Sequence, residues 1–225
     1  MDALLRNFFN VDVFQQVLPF LLQGLLTTIG LSVLVIPLGL VGGLFVALVA
    51  TQSESRLVRL LIAVYVDVFR ALPPLVLLIF IYFGFPFLGI DMPKLLAVAL
   101  GFLLNNASYY GEIFRAGLLA VPQGQMEAAR STGLTRLQAL AYVVVPQATR
   151  NVLPDLIGNS IEVVKLTTLA SVVALPELLR VARDAQSLLY NPSPVVLAAL
   201  IYLALLWPMV RLLSRLEHKN MITRH

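Results

Sequence analysis

Charged residues are absent from four long stretches of the chain: between Asp12 and Glu54, Arg70 and Asp91, Lys94 and Glu112, and Asp184 and Arg211. A helix that crosses the hydrocarbon layer needs about 20 mostly apolar residues. The first stretch holds one such helix with turns to spare, and the others are close to one each. A fifth apolar run, over 151–179, carries Asp155, Glu162 and Lys165 and falls short of a strict hydropathy criterion. The pattern predicts an all-α integral membrane protein of about five transmembrane helices, near 18–50, 57–83, 95–119, 151–179 and 195–213. These belong to a single domain over 1–225. Pro37, Pro73, Pro74 and Pro208 fall within or at the ends of the spans, where neighbouring helices satisfy freed carbonyls.

One segment breaks the pattern. Residues 127–146 read EAARSTGLTRLQALAYVVVP, with Glu127, Arg130 and Arg136 set among small residues. The stretch QMEAARSTG predicts a helix stopped by Gly133. Thr135 then caps a second helix, RLQALAYVVV, which Pro146 ends. This is a helix–turn–helix within a loop over about 120–150, able to present a short knob at the membrane face or to serve as an ordinary interfacial loop.

Composition sharpens the class. Hydrophobic residues make up 59% of the 225 positions and charged ones 12%, with mean hydropathy +0.89, whereas a soluble domain is roughly a quarter charged. The first run follows Asp2 and Asp12 and exceeds an h-region of about 7–15 residues, so it reads as a retained span. Zero cysteines exclude disulfides and thiolate chemistry. The histidines, His218 and His225, both lie in the C-terminal tail, which leaves no zinc cluster and no Ser-His catalytic set. A Gly-x-x-x-x-Gly-Lys-Ser/Thr run, needed to cradle nucleotide phosphates, is missing. No basic cluster interleaved with aromatics points to nucleic acid.

Polar residues inside the spans carry the candidate chemistry. Asp67 with Arg70, Glu112 with Arg115 and Glu162 with Lys165 each stand three positions apart, on one side of a helix. Asn105, Tyr109 and Glu112 form a stripe on span three; Asp155, Asn159 and Glu162 form one on span four. Charges at bilayer depth face a bundle interior or a wet cavity, so the stripes suggest a shared hydrophilic seam. Arg70, Asn105, Tyr109, Glu112, Asn159, Glu162 and Lys165 are the candidate substrate path. A structural lock between helices, or snorkelling to the headgroups, fits the same charges. Thr27, Thr28 and Ser32 either line that path or bond preceding carbonyls. Gly39 and Gly43 have the small-xxx-small spacing of close helix packing.

The order Glu127-Ala128-Ala129, then Gly133, then Pro146, resembles the EAA loop of ABC-importer permease subunits. Upstream YYGEIFRAGLLAVPQGQ and VYVDVFRALPPLVLLIFIYFGFP, and downstream VVPQATRNVLPDLIGNS, are similar to the branch that imports polar amino acids such as histidine, glutamine and arginine. The resemblance runs from about Leu18 to Leu213. Val143 and Val145 stand where Ile and Leu are commoner; the usual RGTP is Arg70-Ala71-Leu72-Pro73, and the usual KDTSL is Lys165-Leu166-Thr167-Thr168-Leu169.

That resemblance implies a type I ABC importer permease fold with a cytoplasmic coupling helix. Glu127, Ala128, Ala129, Gly133 and Pro146 would belong to the part that docks on the ATPase. It implies two ATPase copies holding ATP and Mg, a second permease subunit, identical or homologous, and an extracytoplasmic amino-acid-binding protein. The chain itself would hold no cofactor or metal and would not be an enzyme. The setting is the bacterial cytoplasmic (inner) membrane. With the C-terminus in the cytoplasm, Arg56, Arg59, Arg115, Arg130, Arg136, Arg150, Arg211, Arg215, Lys219 and Arg224 lie inside. Arg6, Lys94, Arg180 and Arg183 lie outside, a positive-inside bias with the N-terminus out. The competing class, a self-sufficient secondary transporter or channel, calls for internal repeats, and none is visible.

Overall fold

A computed structural model describes residues 7–222, with side chains as far as Arg215. Arg6, Arg224 and His225 lie outside the described residues, as do the side chains of His218 and Lys219. The described chain is helical, with no strand. In order come α1 (Val11–Gln52), α2 (Arg56–Ala71), α3 (Pro74–Ile79), α4 (Lys94–Leu119), α5 (Gln123–Ser131), α6 (Arg136–Ala139), α7 (Val145–Asn151), α8 (Leu153–Leu166), α9 (Leu178–Leu189) and α10 (Ser193–Ile222).

The all-α membrane class holds, but the expected five spans are not confirmed. Val11–Gln52, Leu153–Val173 and Ser193–Arg215 are long and apolar enough to cross; a fourth appears if Arg56–Ala71 and Pro74–Leu88 count as one broken span. The segment expected to span near 57–83 is broken at its prolines: α2 ends at Ala71 and α3 begins at Pro74. Pro73 disfavours helical geometry at Leu72, which is extended at φ −75° and ψ 128°. The 26 residues of α4 suffice in length, yet the polar run Asn105–Glu112 dilutes their hydropathy and α4 is not among the qualifying spans.

The chain forms two compact units. The first comprises residues 1–35, 74–101 and 161–225. Within it, Val17 and Leu21 of α1, Leu178 and Ala182 of α9, and Ala198 of α10 form a buried cluster. Gly24 allows the contact, since a Cβ there would stand 3.0 Å from the Leu178 Cα. Glu177 caps α9: its carboxylate accepts from the Leu179 and Arg180 amides at 2.8 and 2.7 Å, and from the Tyr202 hydroxyl at 3.2 Å. Thr28 accepts the Leu178 amide, while Thr27 and Ser32 donate to carbonyls four residues back. The hydroxyls of Thr27 and Ser32 thus serve the helix itself.

The second unit comprises residues 36–73 and 102–160. Here α1 and α4 touch backbone to backbone: a Cβ on Gly43 would fall 2.4 Å from the Tyr110 Cβ and 2.8 Å from the Gly111 nitrogen. The close packing expected of Gly39 and Gly43 is present. Polar bonds join the other helices. Tyr65 donates to the Leu104 carbonyl at 2.7 Å, Asn105 to the Phe69 carbonyl at 2.8 Å, and the Tyr110 hydroxyl pairs with Ser160 at 2.8 Å. Between helices in lipid there is no hydrophobic drive, so such contacts and close packing hold the unit. Val41 and Phe45 of α1 stay exposed, as a lipid-facing stripe requires.

Candidate functional site

The loop over 120–150 lies wholly in the second unit, and its local structure follows from its caps. Thr132 ends α5, and Gly133 then turns the chain at φ +95°, a left-handed conformation that side chains rarely adopt. Thr135 opens α6 with a reciprocal capping box: its hydroxyl accepts the Gln138 amide while the Gln138 side chain accepts the Thr135 amide. Glu127 and Ala128 are exposed on α5, while Ala129 is buried beneath them. The helix–turn–helix is as the sequence predicts as far as Leu140.

Beyond that point a correction is needed, because Pro146 does not end the second helix. Leu140–Val144 form a π-helical turn, and α7 runs through Pro146 to Asn151. Proline lacks the amide that would bond four residues back, and a wide turn absorbs the missing bond. Side-chain contacts from Arg136 and Gln147 anchor the loop. Arg136 reaches Gln52 at 3.4 Å and Glu54 at 3.6 Å in the turn after α1, and Gln147 of α7 donates to Gln125 of α5 at 3.2 Å.

The polar residues divide between the units. Glu162 and Lys165 belong to the first unit, where they pair with each other. Arg70, Asn105, Tyr109, Glu112 and Asn159 belong to the second. Of the three expected i, i+3 pairs, Glu162–Lys165 and Glu112–Arg115 form. Arg115 binds its partner through two nitrogens, Nε to Oε2 at 2.9 Å and Nη2 to Oε1 at 2.5 Å, the strong forked geometry. Asp67 and Arg70 make no ion pair among the described residues. The Arg70 guanidinium lies instead 5.5 Å from the centre of the Tyr109 ring, a cation–π distance.

A cleft of about 340 Å³ opens in this unit, walled by Val46 and Ala47 of α1 and Gly111 of α4. Arg59, Asp67 and Arg70 of α2 and Glu112 and Arg115 of α4 supply its charges. Asn105 and Asn159 do not line it. Asn105 is 1% exposed, and its Oδ1 and the Asn159 Nδ2 are buried without a hydrogen-bond partner among the described residues. Sequence reasoning missed Arg59 as a companion of Asp67 and Arg70. The signal was the helical spacing Arg59, Ala63, Asp67, Arg70, obscured because Arg59 also served as a flank charge.

The chain resembles known transport proteins over most of its length. At 35% identity over 198 residues, covering 88% of this chain and 87% of the relative, it matches the probable amino-acid ABC transporter permease protein YckA of Bacillus subtilis (strain 168). The probable glutamine ABC transporter permease protein GlnP of the same organism is also 35% identical, over 90% of this chain and 94% of its own. Among solved structures, an amino acid ABC transporter crystallised with histidines superposes with a TM-score of 0.81 at 35% identity, over 92% of this chain and 96% of that one. Residues 39–221 match the family described as the binding-protein-dependent transport system inner membrane component. The polar helices, the broken second helix and the capped loop are therefore those of a transport subunit, and the chain belongs to that family.

Proposed function

We propose that the chain is the non-catalytic permease subunit of an ATP-driven importer that passes a polar or charged amino acid across the bacterial cytoplasmic membrane. The observation that carries this reading is the exposed α5–Gly133–α6 elbow, with Glu127, Ala128 and Ala129 on its first arm. A rigid elbow transmits displacement where a slack loop does not, and both of its arms are fixed by caps. In this reading Glu127 pairs with a basic group of a cytoplasmic ATPase, Ala128 and Ala129 permit close approach, and Pro146 seats the elbow on the bundle. Two ATPase copies bind ATP and Mg and hydrolyse the nucleotide. A second permease, identical or homologous, completes the passage, and an extracytoplasmic binding protein delivers the solute. The orientation is N-terminus out, C-terminus in.

Within the second unit, substrate passes along the charged cleft, in contact with Arg70 and Glu112. The names of the relatives, amino-acid and glutamine permeases, support that substrate class. The test is reconstitution. The complex that co-purifies with this chain should take up amino acids into vesicles only with ATP. Transport by the isolated chain without companions would instead identify a secondary transporter, and protease mapping of the elbow to the outer side would refute the coupling scheme.

A further inference from the structure

The cleft of the second unit holds charges that its own residues leave unbalanced. Glu112 and Arg115 satisfy each other. Arg59, Asp67 and Arg70 share one stripe of α2, all three line the cleft, and no ion pair among the described residues includes them. Two cations against one anion leave the stripe with an excess positive charge. All three side chains are exposed, and a cleft lined by an excess of one charge concentrates its field on a ligand of the opposite sign. Asp67 and Arg70 are separated by one turn of helix, about 4.5 Å of rise. That spacing suits the ammonium and carboxylate carried on one α-carbon. Arg59 lies about 12 Å further along the same stripe, within reach of a flexible arginine and a ligand side chain of two or three carbons.

Resting on the permease reading above, we propose that this cleft binds an α-amino acid through Arg70 and Asp67 and uses Arg59 to favour an acidic side chain over a neutral one, and to reject a cationic one. Glutamate neutralises the stripe. Glutamine leaves its excess charge in place. Lysine or arginine adds a further cation beside Arg59, and repulsion of this kind sets specificity as effectively as attraction.

The experiment is equilibrium binding of L-glutamate, L-glutamine and L-lysine to the full chain in phosphatidylcholine nanodiscs. Glutamate should bind at least tenfold more tightly than lysine. Arg59→Gln should weaken glutamate at least tenfold, bringing it to the affinity of glutamine, and leave glutamine unchanged. Arg56→Gln, one turn away and outside the cleft, should change neither. Equal affinity for lysine, an unaltered glutamate-to-glutamine ratio in Arg59→Gln, or no binding at all overturns the inference. So does a tenfold loss of glutamate affinity in phosphatidylglycerol nanodiscs at fixed ionic strength, which would assign the arginines to a lipid phosphate. ATP-driven uptake by the whole complex separates the two readings: uptake that prefers lysine refutes the charge assignment alone, whereas no ATP-dependent uptake of any amino acid refutes the permease reading.

Discussion

Gly43→Ala and Gly30→Ala make the same chemical change in the same helix, and the structure gives them opposite signs. Within a helix, Gly→Ala stabilises by about 0.5–1 kcal/mol through reduced backbone entropy. At Gly30 a Cβ meets nothing within 4 Å, so that gain should appear in full. At Gly43 the same atom would lie 2.4 Å from the Tyr110 Cβ and 2.8 Å from both the Tyr110 carbonyl carbon and the Gly111 nitrogen. Carbon atoms pack best at about 3.5–4.0 Å. The obstructing atoms are backbone and Cβ, which no rotamer change can move, so α1 and α4 must separate by roughly 1 Å. Overpacking of this kind costs about 1–3 kcal/mol, which leaves a net loss of up to about 2.5 kcal/mol after the helix gain, towards the upper end because backbone atoms obstruct. Thermal unfolding in detergent, followed through the single tryptophan, Trp207, reads both variants. At about 2–4 °C per kcal/mol for a chain of this size, Gly43→Ala should melt several degrees lower and Gly30→Ala slightly higher than the parent. Gly111→Ala should fall between them, because its Cβ meets the Val46 Cγ1 at 2.8 Å, a side-chain methyl with some room to yield. A Gly43→Ala protein as stable as Gly30→Ala would refute the close backbone crossing.

Glu177→Ala strips the cap from α9 and leaves the Leu179 and Arg180 amides and the Tyr202 hydroxyl without their acceptor, a loss of roughly 1–2 kcal/mol. Its melting temperature in detergent should fall by several degrees; an unchanged value would show that the cap does not hold α9. Gly133→Asp should abolish uptake with the protein still inserted, because aspartate is strained at φ +95° and adds a charge at the elbow; wild-type uptake would count against docking there. Glu112→Gln keeps one acceptor for Arg115 and should alter transport kinetics without changing ATPase co-purification; unaltered kinetics would make the pair purely structural.

Much of the helical frame was legible because uncharged runs of spanning length and capping residues act locally. Gly133 and Thr135 could be assigned their roles from neighbours three or four positions away, and both hold. What escaped was set by distant partners. Pro73 and Pro74 looked tolerable within one span, yet the residue before a proline resists helical geometry and α2 stops at Ala71. Pro146 looked like a stop, but a wide turn ahead of it let the helix continue. Spacing alone made Asp67 and Arg70 a pair. In the fold Tyr109 from α4 engages the guanidinium, a competition that no one-helix pattern can express. Tyr110 gave no polar signal at all, yet it meets Ser160 by its hydroxyl and Gly43 by its Cβ. Periodicity records which side chains avoid water, not which helix each will meet.

The π-helical turn over Leu140–Val144 has one residue more than a regular turn would hold, and each residue of a helix advances by about 100°. That surplus sets the rotational phase between the α5–Gly133–α6 elbow before it and α7 after it. Length is accordingly the strict constraint over residues 140–144, and apolar identity the loose one. Substituting one aliphatic side chain for another there leaves the phase alone, whereas a one-residue deletion or insertion would swing the elbow about a quarter-turn relative to α7 with Glu127, Ala128 and Ala129 all still present.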